Sequence, residues 1–235
     1  MVANKLKRIS SCLALCLAMT MLSGITVFAA EKQDTEQVIS LSDIEKYQSN
    51  VARTNSNEIV ITDPEAIKEL ATMQGFPDVE NIKKLTYTIG ETSAEEATAM
   101  EQKITSWNVI GNVEDKGTGF MLVDHFDENR YQGPISGTYT YSRTDTCAYN
   151  ADVSISTDII SSKVGFTIGS SVTKSDSVTI NVPAGKKIIL KIWTNYQKKS
   201  FTIYREYSNC VGLWYPEGSG NAYKPVGLIF TQAEY

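Results

Sequence analysis

Between residues 151 and 193 apolar side chains return at every second position, a period that fits strands and rejects helices. Ala151, Val153 and Ile155 alternate with Asp152, Ser154 and Ser156. Val164, Phe166 and Ile168 alternate with Gly165, Thr167 and Gly169, and Val178, Ile180 and Val182 with Ser177, Thr179 and Asn181. Each segment predicts a strand with one apolar face and one face rich in small polar residues. Pro183-Ala184-Gly185-Lys186 suits a tight turn. The strand after it differs, because Ile188, Leu190 and Ile192 stand opposite Ile189, Lys191 and Trp193. Apolar on both sides, it reads as the central strand. Residues 201–207 and 226–230 add two more, giving seven or eight short strands from Gly137 onward. That is the pattern of an antiparallel sandwich or an elongated sheet pair.

The chain before residue 117 is patterned differently and carries most of the negative charge: 17 acidic against 8 basic residues over 31–116, compared with 10 against 11 over 117–235. Thr62-Asp63-Pro64-Glu65 predicts a helix start, with Thr62 as cap, Pro64 in the first turn and Glu65 closing a capping box. Ile67, Leu70 and Ala71 share a face, and Gly75 ends the helix. Leu85, Tyr87 and Ile89 alternate as a strand. Ser93 with Glu96 opens a second helix to about Ile104, and Glu95 and Glu96 are explained by the helix dipole rather than by acid–base chemistry. A short helix is expected around 41–51. The fold class that follows is α+β: a flexible segment 30–57, a small acidic α+β region 58–116, and a mostly antiparallel β-sandwich or elongated β-sheet domain 117–235.

Lys5, Lys7 and Arg8 precede an uncharged apolar run over 9–28, and Val27-Phe28-Ala29 places small residues at the −3 and −1 positions of a cleavage site. Residues 1–29 therefore read as a secretory signal, and the protein as secreted and extracellular. Cys12 and Cys16 leave with it. The remainder keeps 19 of the 22 basic residues and all 27 acidic ones. Nucleic acid is a poor partner for such a surface. Cys147 and Cys210 remain, and in an oxidising exterior an even pair reads as one disulfide. Closing that loop is worth about 4 kcal/mol in the chain-entropy model.

Motifs of chemistry are scarce. The single histidine, His125, excludes metal sites built on two imidazoles. No nucleophile elbow, phosphate loop or dinucleotide fingerprint occurs, so neither a catalytic residue nor a cofactor is assigned. Asp124-His125-Phe126-Asp127-Glu128-Asn129 is the densest polar stretch, but it lacks the spacing and central glycine of a calcium loop. It reads as a solvated strand end and turn before Arg130. Ten of the 12 tyrosines follow residue 130, as strands favour. Trp214, Tyr215 and Tyr223 stand apart, set among Gly212, Gly218 and Gly220 in what reads as a loop. They are the candidate contact surface for a cell-surface, glycan or protein ligand.

The run from Val164 to Ser175, followed by Ser177-Val178-Thr179-Ile180-Asn181-Val182-Pro183-Ala184-Gly185-Lys186-Lys187, resembles the Ser/Thr-rich strand, Pro-x-Gly turn and return strand of aerolysin-type and epsilon-toxin-like β-proteins. The likeness covers about residues 137–206. It implies an elongated β module that oligomerises and inserts a hairpin into membranes. The long amphipathic insertion loop of those toxins has no counterpart here, since only 158–163 separates two of the expected strands. Ala222-Tyr223-Lys224-Pro225-Val226-Gly227 is similar to the tail of small exported Gram-positive proteins, a likeness that brings no function with it.

The reading is a secreted, non-enzymatic β-rich protein acting by binding or association at the cell exterior. The alternative is a membrane-active, pore-forming protein of the aerolysin type. N-terminal sequencing of the culture supernatant is expected to start at Ala30 or Glu31, whereas an intact form found only in membranes would make residues 9–28 an anchor. Non-reducing peptide mapping tests the Cys147–Cys210 link.

Overall fold

The computed structural model describes residues 38–47, 57–91, 108–207 and 211–235. The expected signal at 1–29, the helix opening at Ser93 and one partner of the expected disulfide, Cys210, lie outside the described residues. In chain order the elements are β1 (Val38–Ser40), α1 (Leu41–Glu45), β2 (Glu58–Ile61), α2 (Pro64–Met73), β3 (Lys84–Ile89), β4 (Asn108–Met121), β5 (His125–Gln132) and β6 (Ile135–Thr146). They continue with β7 (Ala148–Ala151), α3 (Thr157–Val164), β8 (Ser171–Val182), β9 (Lys187–Glu206) and β10 (Trp214–Glu234).

The β9–β10 hairpin is the spine, paired antiparallel from Glu234↔Ile188 to Trp214↔Glu206. Around it one sheet runs β1-β4-β9-β10-β3-β2, all antiparallel. β5 shares the β4 edge of β9 and covers its first residues, Lys187 to Trp193. β7 pairs with β10 over Gly220 to Tyr223. Strands from both sides of residue 117 thus share one sheet, and β4 runs through that position. β6 and β8 form a separate two-stranded sheet.

The first half of β9 is buried on both faces, as its sequence demands. Ile188, Leu190 and Ile192 pack with Val178, Ile180 and Val182 of β8 and with Leu228 and Phe230 of β10. Ile189 and Trp193 share the other core with Ile67, Leu70 and Ala71 of α2. Lys191 lies between them and is 4% exposed. Its ammonium donates to the carbonyls of Gln74 (2.8 Å) and Gly75 (3.0 Å), where α2 ends, and sits 3.5 Å from Glu128. Helix-terminal carbonyls left without intrahelical donors supply the partners a buried cation needs. Further along β9, Phe201 and Ile203 pack with Ile160 and Val164 of α3.

Several local expectations change. At α2 the cap is Asp63, whose carboxylate accepts the Ala66 N–H at 2.9 Å, rather than Thr62. The strands expected over 151–156 and 164–169 do not form: β7 ends at Ala151, 152–156 is irregular, and the helix α3 runs from Thr157 to Val164. Ser156 caps it, Ile160 and Val164 bury one face at helical spacing, and Gly165 closes it at φ +82°. The cap and the left-handed glycine decide the conformation against a three-residue alternation. Between β4 and β5 the chain makes a 3-10 turn, Leu122–Asp124. The loop expected around Trp214 to Tyr223 is part of β10. Its Gly and Pro residues mark irregularities in the pairing at Pro216/Gly218 and Pro225/Gly227, where one extra residue is taken up without ending the strand. Cys147 is buried, precedes the Ala148↔Tyr223 pair, and has its thiol pKa raised by burial.

β8 is pinned to the main sheet by Asp176, whose carboxylate accepts the Leu228 N–H at 2.9 Å and the backbone N–H of Glu91. Gly90 makes room for it: a Cβ there would lie 2.3 Å from the carboxyl group. Gly90→Ala is expected to destabilise the protein by about 1–3 kcal/mol, the cost of displacing that acceptor. The double variant with Asp176→Ala should cost less than the two changes summed, and additivity in denaturant melts would disprove the coupling. Burial raises the Asp176 pKa against the lowering effect of its donors. The native state therefore holds this proton more tightly than the unfolded chain. The site's contribution to stability grows as pH falls through the raised value and levels off below the unfolded value of about 3.9. Asp176→Asn, which keeps an acceptor oxygen without the charge, is expected not to lower the melting temperature at pH 7.

Candidate functional site

The exposed large apolar side chains concentrate at the free end of the spine. Val211 is 79% exposed, Leu213 56% and Trp214 41%, with Tyr207 and Tyr215 each at 43%. Antiparallel pairing places Trp214 opposite Glu206 and Tyr215 opposite Arg205, so the two rings, as successive strand residues, emerge on opposite faces of the ribbon. The Tyr207 and Tyr215 rings meet edge-on with centroids 6.1 Å apart. Gly212, at φ +83°, allows the turn between Val211 and Leu213, and its N–H donates to the Glu206 carboxylate.

A polar collar holds the end in shape. Glu217 accepts from the Tyr207 hydroxyl at 2.6 Å and from Arg205 at 3.2 Å, and Arg205 also donates to Asn108 of β4 at 3.0 Å. The hydrogen bond to Glu217 raises the Tyr207 phenol above its ordinary range. The three charges nearest the tip are therefore engaged by one another or by the turn.

Of the three aromatics singled out in the sequence, the structure brings Trp214 and Tyr215 together and separates Tyr223. Tyr223 lies nine residues further along β10, 4% exposed, packed with Met121 and Tyr196. Its neighbour Gly220 sits directly against Phe201, which shows how tightly that part of β10 is covered. Tyr207, Val211 and Leu213 join the tip without having been read from the sequence. Their signal was there: apolar residues flank the glycine of a hairpin turn, where polar residues ordinarily stand.

The Asp124 to Asn129 stretch is less solvated than its composition implied. Asp124 pairs with Arg143 at 2.8 Å and accepts from the Tyr196 hydroxyl at 2.7 Å; Arg143 reaches Asp145 at 2.8 Å, and Asp145 accepts from Thr194. These bonds stitch β6 to β9. Burial raises the Tyr196 phenol, and its hydrogen bond to Asp124 raises it further. Burial alone would lower the Arg143 pKa, but Asp124 and Asp145 outweigh it and leave it raised. Glu128 is held by Arg130 at 3.0 Å, while His125 is exposed beside the Trp193 ring at 5.5 Å. Among the described residues no group of three or more His, Cys, Asp and Glu side chains is placed to hold a metal ion.

No family model matches the chain, and no curated protein sequence does. Solved structures similar to it include a lamprey immune protein, at 13% identity and TM-score 0.27 over 55% of this chain and 54% of that one. A candidate pore-forming toxin from Bacteroides vulgatus ATCC 8482 matches at 12% identity and TM-score 0.21 over 55% and 53%. Parasporin-2, a Bacillus thuringiensis toxin that recognizes cancer cells, matches at 13% identity and TM-score 0.21 over 85% and 94%. The chain spans about half the length of the first two. The likeness to each of the three is weak in both sequence and superposition. Likeness at this level leaves the role of the tip to be argued from its own residues.

Proposed function

We propose that this chain is an exported, non-enzymatic β-protein that acts by binding at the cell exterior, with the end of the β9–β10 hairpin as its contact surface. The observation that carries the reading is the segregation of apolar exposure: five large apolar side chains lie open together at one end of a rigid ribbon. Contiguous exposed apolar surface marks interaction sites, and recognition residues are commonly presented at the ends of rigid strands. Export rests on the apolar run at 9–28 and the small residues before Ala30. The assignment away from catalysis rests on the polar residues around Asp124, which are consumed in joining two sheets.

The pore-forming alternative would use β6 and β8, which at 12 residues each exceed the 9–11 needed to cross a bilayer. One face of this pair is lined by Ser and Thr, with Thr140 bonded to Ser177 at 2.7 Å and Thr144 to Thr173 at 2.7 Å. The opposite face carries Arg143, Asp145, Lys174 and Asp176 as well as its apolar residues. A basic residue on a lipid-facing strand costs about 2–4 kcal/mol at the midplane, an acidic one less. Those charges count against spanning and favour the binding reading.

Trp214→Ala is expected to weaken attachment of the purified protein to intact cells by about 1 kcal/mol or more, the loss of an aromatic anchor. The melting temperature should stay nearly unchanged, because this ring is open to solvent. Flow cytometry of labelled protein with a thermal melt checks both. Unchanged attachment would move the contact surface elsewhere, and hydrolytic activity abolished by Asp124→Asn would make the protein an enzyme.

A further inference from the structure

We infer that the space beside Gly227, where the end of β3 meets β8, β9 and β10, is a calcium site formed by the Asp176 carboxylate, the carbonyls of Gly90 and Glu91 and the side-chain oxygen of Asn195. The site lies apart from the contact surface proposed above and stands or falls without it. Its starting point is a missing side chain. A Cβ at Gly227 would lie 3.5 Å from the Glu91 carbonyl oxygen, 3.6 Å from that of Gly90 and 3.7 Å from Asp176 Oδ2. The space that glycine leaves is walled by oxygens from two separate parts of the chain.

A fourth group joins them from β9. Asn195 pairs directly with Gly227, and directly opposed residues of an antiparallel pair project to the same face with Cβ positions about 5 Å apart. Asn195 is 0% exposed, and neither its Oδ1 nor its Nδ2 has a hydrogen-bond partner. Buried amides are ordinarily bonded, so one left unbonded beside these oxygens points to a ligand. The sheet ladder is altered at the same place. The Gly90 N–H donates to the Leu228 carbonyl at 2.9 Å, but the Leu228 N–H goes to Asp176 instead of returning to Gly90.

The donor set is all oxygen, and the charge suits a cation. Burial raises the Asp176 pKa and the Glu91 charge adds to the rise, against its two backbone N–H donors and Lys174. A bound cation relieves both the burial and the repulsion. Two accepted N–H groups leave Asp176 about two lone-pair directions. Carboxylate, backbone carbonyl and Asn oxygens are calcium ligands at about 2.3–2.6 Å in irregular geometry, so the oxygens have to close in by about 1 Å. Magnesium demands a tighter octahedron. With so few carboxylates, the affinity belongs to the weak range of about 0.1–1 mM.

Thermal melts of the purified protein in EGTA and in calcium test the site. The wild-type melting temperature is expected to rise by about 3 °C or more in about 10 mM calcium, and not in equal magnesium. Gly227→Ala places a methyl at ordinary contact distances where the ion would sit. It should keep the melting temperature in EGTA and lose the rise. Asp176→Asn should melt no lower than the wild type in EGTA and need about tenfold more calcium or better for any response. Asn195→Asp adds a charged ligand and should lower the half-saturating calcium concentration by about tenfold. A wild type indifferent to calcium, an equal rise in magnesium, or a rise that survives both Gly227→Ala and Asp176→Asn overturns the proposal. Half-saturation that is unchanged in Asn195→Asp overturns it as well, since Asn195 would then face no ion.

Discussion

Residues 188–193 carry apolar side chains on both faces of one strand, and a strand of that kind has to be covered twice. The two covers come from different parts of the chain: α2 closes one face and the β6–β8 pair closes the other. Lys191, a charge among these residues, would be costly at 4% exposure without partners. It bonds the carbonyls that end α2, so the residue that interrupts the apolar pattern also fixes where the helix stops above the strand. The requirements of helix and cation are met by the same two hydrogen bonds.

The second cover is held in two ways. At one end β8 supplies Val178, Ile180 and Val182 to a dry core. At the other end the same inward face turns polar, and Arg143, Asp145 and Asp176 bond across to Asp124, Thr194 and the backbone of Leu228. Partly buried charge networks of this type add little net stability, but their geometry admits one register. Here a slip of one residue would turn the Ser/Thr face inward and break every one of these contacts. Apolar burial thus brings the layers together, and the charged end fixes how they sit.

Much of this was legible in the sequence. The alternation at 178–182 and the two-sided run at 188–193 identified an inner strand and the central strand, and Thr62-Asp63-Pro64-Glu65 with Gly75 bounded α2, although the cap is Asp63 rather than Thr62. What misled was punctuation. Gly and Pro within 214–227 read as a loop because both residues end strands more often than they continue them. In β10 they sit at irregularities that the long partner strand tolerates, since β9 keeps its own pairing on the other edge. Ile155 and Val164 looked like strand residues because a three-residue alternation is also compatible with one turn of an amphipathic helix. The contact surface was half visible: Trp214 and Tyr215 were found, but Tyr223 was grouped with them by nearness in sequence. Whether an aromatic on a strand is covered depends on which element crosses it, and local sequence does not contain that.

Tyr223 and Trp214 belong to the same strand and the same side-chain class, yet one is buried and the other open. Tyr223 falls where β7 flanks β10 and β9 and β4 complete the sheet. Toward the tip, pairing with β7 stops at Gly220 and pairing of β9 with β4 stops at Arg205. Because Arg205 pairs with Tyr215, only the Trp214↔Glu206 pair is left to β9 and β10 alone. The irregularity at Pro216/Gly218 lies between the two regimes. On its tip side β4 still flanks β9 at Tyr204 and Arg205, whose side chains bond Asn112 and Asn108. Tyr207, Val211, Leu213, Trp214 and Tyr215 belong to none of the buried clusters, so these side chains can vary in chemistry without touching a core. The cost of that freedom is apolar surface exposed to water, and a partner that removes this surface from water recovers the free energy.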